Sequence, residues 1–381
     1  MSQIARSPAA GRRAVRAALA TAVALTLLAP VAFLFAQTWS STGEAIGFNQ
    51  AERRGVAYLG PLTELLNVVT EAQSAAVRDV PVDAAAVRSA VSAVDAVDRR
   101  LGGELRTTQR WTAVRQTVLD RISRGWPTPS AAYVQYSDLV TTLIELNRKV
   151  GDVSKLILDP ELDAYYVMNA TLLRVPDILV DSGRYADLTV LAGGRTSDQI
   201  SVAQLTAARN RVATDATDLG DGLVKAFGET RSESLVPGLT RQLDDFRTAV
   251  DAVAPSTSLL APAPQRSLET LTADQDGLQR ATLALQQAAL AELDRLLQSR
   301  TGRAERARLL AVVAVSLAVL LVAGVTAGLR HVWLDAEAPL RWRSGLDGER
   351  PAPAVVEPGA DRELIGVGGP PERPGGPRAA R

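Results

Sequence analysis

Cysteine is absent from all 381 residues, and histidine occurs once, at His331. The first absence excludes a disulfide framework, a thiolate nucleophile and any Cys-ligated metal site, so packing alone must hold the fold. The second removes Ser-His-Asp chemistry and most zinc sites, leaving no catalytic set, no metal site and no cofactor to expect. Lysine is nearly missing: of 42 basic residues only Lys149, Lys155 and Lys225 are lysines, and 42 acidic residues balance the total. With zero formal charge and no basic block, a nucleic-acid surface is not indicated. No stretch alternates β-branched residues between turn signals, so no sheet is expected.

What the chain does have is two uncharged apolar runs, residues 17–36 and 309–329. Each has about the 20 residues that a helix needs to cross ~30 Å of hydrocarbon. The first run also resembles a signal-peptide core, since Arg12, Arg13 and Arg16 precede it and Ala36 offers a small residue. A core of that kind is usually about 7–15 residues, and Leu34 is too large for the cleavage pattern, so two transmembrane helices are the preferred reading. Four arginines and no acid precede residue 17, which favours a cytoplasmic N-terminus. The expected layout is a cytoplasmic tail (1–16), a first span (17–36), an extracytoplasmic domain (37–308), a second span (309–329) and a short cytoplasmic tail (330–381). That tail is rich in Pro and Gly toward its end and is too short for a kinase or cyclase.

Between the spans the apolar residues keep helical spacing, which predicts an all-α fold: a long antiparallel helical bundle, either single or two stacked bundles. Six helices are expected. The first carries Val56, Leu59, Leu62, Leu66 and Val69 and ends near Asp79-Val80-Pro81. The second runs from Val87 through the Gly102-Gly103 pair to Ile122. The third opens at Thr128-Pro129, with Leu139, Leu143, Leu146, Val150, Val153 and Ile157 at coiled-coil spacing. It is expected to continue for fifty residues or more, giving a domain on the order of 70 Å tall. A capping-box pattern, Thr196 with Gln199, opens the fourth; Leu239, Leu243, Phe246, Val250 and Val253 mark the fifth. After a linker at residues 254–264, the sixth approaches the membrane through Leu290, Leu293 and Leu297 and is expected to enter the second span as one rod.

Residues 156–180, LILDPELDAYYVMNATLLRVPDILV, are apolar on every face, which is the mark of a helix buried all round. Asp159, Asp163, Asn169, Arg174 and Asp177 lie inside this segment and need partners, because a buried polar group is costly unless paired or liganded. Asp159, Asp163 and Tyr166 share a face by steps of four and three, while Arg174 falls on the core seam. Internal pairing ranks ahead of ligand contact; the candidate partners of Arg174 are Asp163, Asp177 or an acid on another helix. In the first helix, Gly60-Pro61 should kink the backbone, either opening a pocket beside Tyr58 or allowing two helices to approach closely. Asp159, Asp163, Tyr166, Asn169, Arg174 and Tyr58 are therefore the candidate ligand-binding residues.

The segment from Ile157 to Asn169 resembles the LILDPDLDSYYLMD-type stretch of helical extracytoplasmic sensor domains found in bacterial chemoreceptors, histidine kinases and diguanylate cyclases. The segment from Glu52 to Leu62 is similar to the E-x-x-G-x-x-Y-x-x-PL stretch of their first helix, slightly displaced. Ala164 and Asn169 depart from the usual Ser and Asp, and no relay module follows the second span. The resemblance implies a sensor or binding module that relays helix displacement to a separate kinase or chemotaxis component, acting as a homodimer. The rival expectation is a non-sensing membrane scaffold. The lipid bilayer is the partner that both readings share.

Overall fold

The computed structural model describes residues 8–193, 199–255 and 267–335. Among these there is no strand. The helices are α1 (Pro8–Val77), α2 (Ala84–Leu105), α3 (Thr108–Ile122), α4 (Pro129–Val153), α5 (Leu162–Asn169), α6 (Val175–Leu191), α7 (Gln199–Glu229), α8 (Leu235–Val253) and α9 (Leu268–Asp335). By packing, the chain divides into Met1–Thr326, which holds the whole bundle, and Ala327–Arg381, of which only the end of α9 is described.

The long helices α1 and α9 frame the fold. Each carries an apolar stretch long enough to cross a membrane and with no buried residue, within Ala18–Val77 and Glu269–Gly328. Both helices leave those stretches without a break and become part of the bundle. From residue 37 to Val77, α1 extends about 60 Å at 1.5 Å per residue. Side-chain partners on the two helices run in opposite directions: Thr42 meets Arg308, Arg53 meets Asp294, and Thr63 meets Gln286. The same antiparallel register joins α1 to α2 through Arg54–Glu104 and Tyr58–Asp98. Helix α6, with Arg174 just before it, repeats it against α7 through Arg174–Asp215 and Asp181–Arg211. One contiguous apolar core runs from Val56 to Leu297.

The expected start of the third helix is where the spacing places it: Pro129 is the first residue of α4, and Thr128 accepts the Ala131 N–H at 3.1 Å. The first helix ends at Val77, before Asp79 with its positive φ of 56°. The sixth does pass into the apolar stretch as one rod. Thr196, most of the linker at residues 254–264 and the tail after Asp335 lie outside the described residues.

Two expectations about helix number and length fail. The second helix is two helices, because the chain reverses at Arg106, whose φ is 54°, and Thr107 closes the turn by donating its N–H to Gly102 O at 2.9 Å. A Cβ on Gly102 would sit 2.4 Å from Asp98 Oδ1 and Thr108 Oγ1, so only glycine lets the turn tuck in this closely. The third helix is not a rod of fifty residues. It stops at Val153; Lys155 takes a left-handed φ of 65°, Leu156–Leu158 form a single 3₁₀ turn, and Asp159 is no longer helical. Pro160 accounts for the last step, since it disfavours helical geometry at Asp159 and has no N–H to give to Leu156; the earlier stop is the left-handed Lys155.

Candidate functional site at the junction of α4 and α5

The break before α5 gathers a buried cluster of charged side chains. With the backbone turned at Asp159, one of that residue's oxygens accepts the Glu161 N–H at 2.9 Å. Its carboxylate is fully buried and is met by Arg300 of α9, whose Nη1 donates to Oδ1 at 2.9 Å and Oδ2 at 2.8 Å. The same guanidinium reaches Glu161 through Nε at 3.0 Å and Asp163 through Nη2 at 3.4 Å. Asp163 also accepts from Thr230 Oγ1 at 3.1 Å, which brings in the turn between α7 and α8. Burial lowers Arg300, but Asp159, Glu161 and Asp163 outweigh it and hold the guanidinium above its ordinary value.

From the α1 side, Glu52 is fully buried against this cluster. Burial first, and the neighbouring Asp159 charge second, push its carboxyl up to about 9, so it is a neutral acid at pH 7. Three elements distant in sequence thus share one charge network: α1, the junction, and the helix that continues into the second apolar stretch. Two open clefts flank it. One, of about 740 Å³, is lined by Leu162, Asp163, Arg231, Leu296, Arg300 and Arg303 among others. The other, of about 620 Å³, lies between Leu158, Pro160 and the Ser41, Ala45 and Phe48 side of α1.

Of the six residues predicted from sequence, the structure brings only Asp159 and Asp163 into this site. They meet through Arg300 and not through a shared helical face, since Asp159 precedes the helix. Tyr166 stands on α5 beside Lys225, whose Nζ lies 5.7 Å from the ring centroid, and packs edge-on against Tyr165. Asn169 is the half-buried last residue of α5. Tyr58 is fully buried elsewhere, donating to Asp98 Oδ1 at 2.9 Å; Thr107 donates to the same oxygen at 2.6 Å. Burial raises the Tyr58 phenol, so it remains a neutral donor that ties α1 to the α2–α3 turn. The expected close approach at Gly60 is displaced to Gly55, where a Cβ would lie 2.3 Å from Ser154 Oγ; at Gly60 the nearest atom is at an ordinary 3.8 Å.

Arg174 does find carboxylates on another helix: Asp215 at 2.8 Å and Asp218 at 2.9 Å, both on α7. Its side chain is 31% exposed, so it lies at the edge of the core. It forms no ion pair with Asp163 or Asp177, though its charge favours the Asp177 carboxylate. Burial, then the charge of Asp215, push Asp177 up to about 6.

Residues 170–174 form a π turn, and Pro176 accounts for it. Lacking an N–H, Pro176 cannot donate to the carbonyl of Leu172, and its ring crowds that oxygen. The Leu172 carbonyl instead accepts from Asn147 of α4 at 2.6 Å, and that of Thr171 accepts from Gln286 of α9 at 3.0 Å.

Sequence reasoning missed Arg300 and Glu52 as site residues, although a signal was present. Arg300 is the next step of the seam formed by Leu293 and Leu297, and Glu52 precedes Val56 by four on the α1 seam. A charge on a seam is a buried charge. Among the described residues no group of three or more His, Cys, Asp or Glu is placed to hold a metal ion. Compared with protein-family models, with curated proteins and with solved structures, the chain matches none.

Proposed function

We propose that this chain is a membrane-anchored sensory or binding module. Its α4–α5 junction governs the position of α9 against α1, and so passes helix displacement across the bilayer to a separate output protein. The observation that carries the reading is the Arg300 network. It fastens the junction to a helix that enters an apolar, membrane-length stretch nine residues later. A ligand or partner that competes for Glu161 or Asp163 in the adjoining cleft acts directly on Arg300. Displacements of ~1–2 Å suffice in helix-shift switches. The likeness of residues 157–169 to sensor segments supports the same reading, and the arginines before residue 17 support a domain outside the cytoplasm. A second copy of the chain and a kinase or chemotaxis component are the partners this function would use.

One observation favours the rival reading, a scaffold that senses nothing. Asp159, Asp163 and Arg174 all have partners within the chain and need no ligand. The two readings separate by disulfide crosslinking in membranes. Thr42→Cys and Arg308→Cys place one thiol on each long helix where those residues now touch. Asp163→Asn, which removes one partner of Arg300, should change the rate at which the two introduced thiols crosslink if the junction governs the helices. An unchanged rate with an intact fold would favour the scaffold.

A further inference from the structure

The segment expected to be buried all round is not: where the helix is broken, the junction exposes apolar side chains that the internal network does not use. Leu158 is 65% exposed, Leu162 52% and Ile157 40%. They stand on the end of the bundle that faces the apolar stretches of α1 and α9. Leu158 and Pro160 share a cleft with Ser41, Ala45 and Phe48 on α1 and with Arg300 and Arg303 on α9. Ser41 and Ala45 follow the end of the first apolar run by five and nine residues, about 8 and 14 Å of helix. The headgroup layer occupies ~5–8 Å on each side of the hydrocarbon. A helix tilt of ~20° brings the lower side of such a junction into that layer.

We infer that Ile157, Leu158 and Leu162 dock onto the surface of the bilayer, at the level of zwitterionic phospholipid headgroups. The inference rests on the membrane reading of the two apolar helices and extends it to the junction itself. Continuity argues for lipid as the occupant. Between the junction and the exposed apolar stretches stands Trp39, 45% exposed, with the Arg308 guanidinium 4.6 Å from its ring centroid; an aromatic-cation pair of this kind suits a membrane interface. The charges around the apolar residues are of both signs, Lys155, Arg231 and Arg303 interspersed with Glu161 and Glu229, so there is no basic cluster of the kind that selects anionic lipid. Lipid contact at Leu158 would make the geometry of its neighbour Asp159, and hence the grip on Arg300, responsive to the bilayer.

Because the chain has no cysteine, single cysteines report one site each. The full chain, carrying Leu158→Cys or Leu162→Cys labelled with an environment-sensitive fluorophore, is reconstituted into phosphatidylcholine vesicles containing a headgroup nitroxide lipid. Val134→Cys, as exposed as Leu162 but near the far end of α4, serves as the comparison. Leu320→Cys, in the second apolar stretch, tests the span itself with an acyl-chain nitroxide. The labels at 158 and 162 should lose most of their fluorescence and the label at 134 almost none. Equal fluorescence at 158, 162 and 134, with Leu320→Cys quenched, overturns the docking while leaving the span intact. An unquenched label at 320 overturns both. Quenching at 158 that requires added phosphatidylglycerol overturns the zwitterionic assignment, and crosslinking of Leu158→Cys between copies without quenching assigns the surface to a second copy of the chain.

Discussion

Arg300 and Asp159 are 141 residues apart in sequence, yet one guanidinium nitrogen lies within 2.9 Å of both carboxylate oxygens, with the Asp159 side chain wholly out of solvent. Removing Arg300 leaves the buried Asp159 carboxylate with the Glu161 N–H but without its ion pair. Arg300→Ala should therefore destabilise the protein by about 3–5 kcal/mol. Denaturant melts of the full chain in detergent would check this, and Arg303→Ala, on a residue 60% exposed, should cost far less.

Glu52 gives the pH dependence. Its folded-state value, about 9, lies above the ordinary 4.5, so the native protein holds a proton that the unfolded chain releases. Stability from this group is fully present below about 4.5 and declines as the pH rises toward 9. Glu52→Gln imitates the neutral acid. Its melting temperature relative to wild type should rise steadily between pH 5 and pH 9, by an amount on the order of a few kcal/mol when converted. A difference that does not vary with pH would mean that Glu52 is ionised and held by Arg300.

These two residues also show how far the sequence could be read. The apolar spacing marked nearly every helix, and the Thr128-Pro129 start, because those signals are local. The break at Asp159-Pro160 was hidden by a coiled-coil seam running from Leu139 to Ile157: spacing continued where the backbone did not, and one proline with a left-handed Lys155 overrode it. The reversal at Arg106 was hidden in the same way, by apolar residues in phase on both sides of the turn. Asp159 and Asp163 were found because charges stand out in an apolar segment. Their partner was not, since pairing across 141 residues leaves no local trace beyond a charge on a seam.

Arg174 should behave differently from Arg300. It bridges Asp215 and Asp218 with a side chain 31% exposed, so water screens the pair and softens its loss. Arg174→Ala should cost about 1–2 kcal/mol. Burial already raises Asp215, and loss of Arg174 removes the charge that counters it, so the carboxyl should titrate higher still. A double-mutant cycle with Asp215→Ala should return a coupling of roughly 1 kcal/mol. A loss as large as that of Arg300→Ala would show that Arg174 is more deeply engaged than its exposure implies.

The π turn offers the most specific test of cause. If Pro176 is what frees the Leu172 carbonyl, then Asn147 is needed only while proline occupies that position. Asn147→Ala should cost about 1–3 kcal/mol in the wild-type chain, because it strands a buried carbonyl that now accepts at 2.6 Å. In a Pro176→Ala background, residue 176 regains an N–H, the turn can close to ordinary α geometry, and Leu172 acquires a backbone donor. There Asn147→Ala should cost measurably less, giving a coupling between two residues with no direct bond between them. Equal costs in the two backgrounds would mean that core packing around Leu172, which sits against Gly151, holds the π turn open and that Pro176 merely tolerates it.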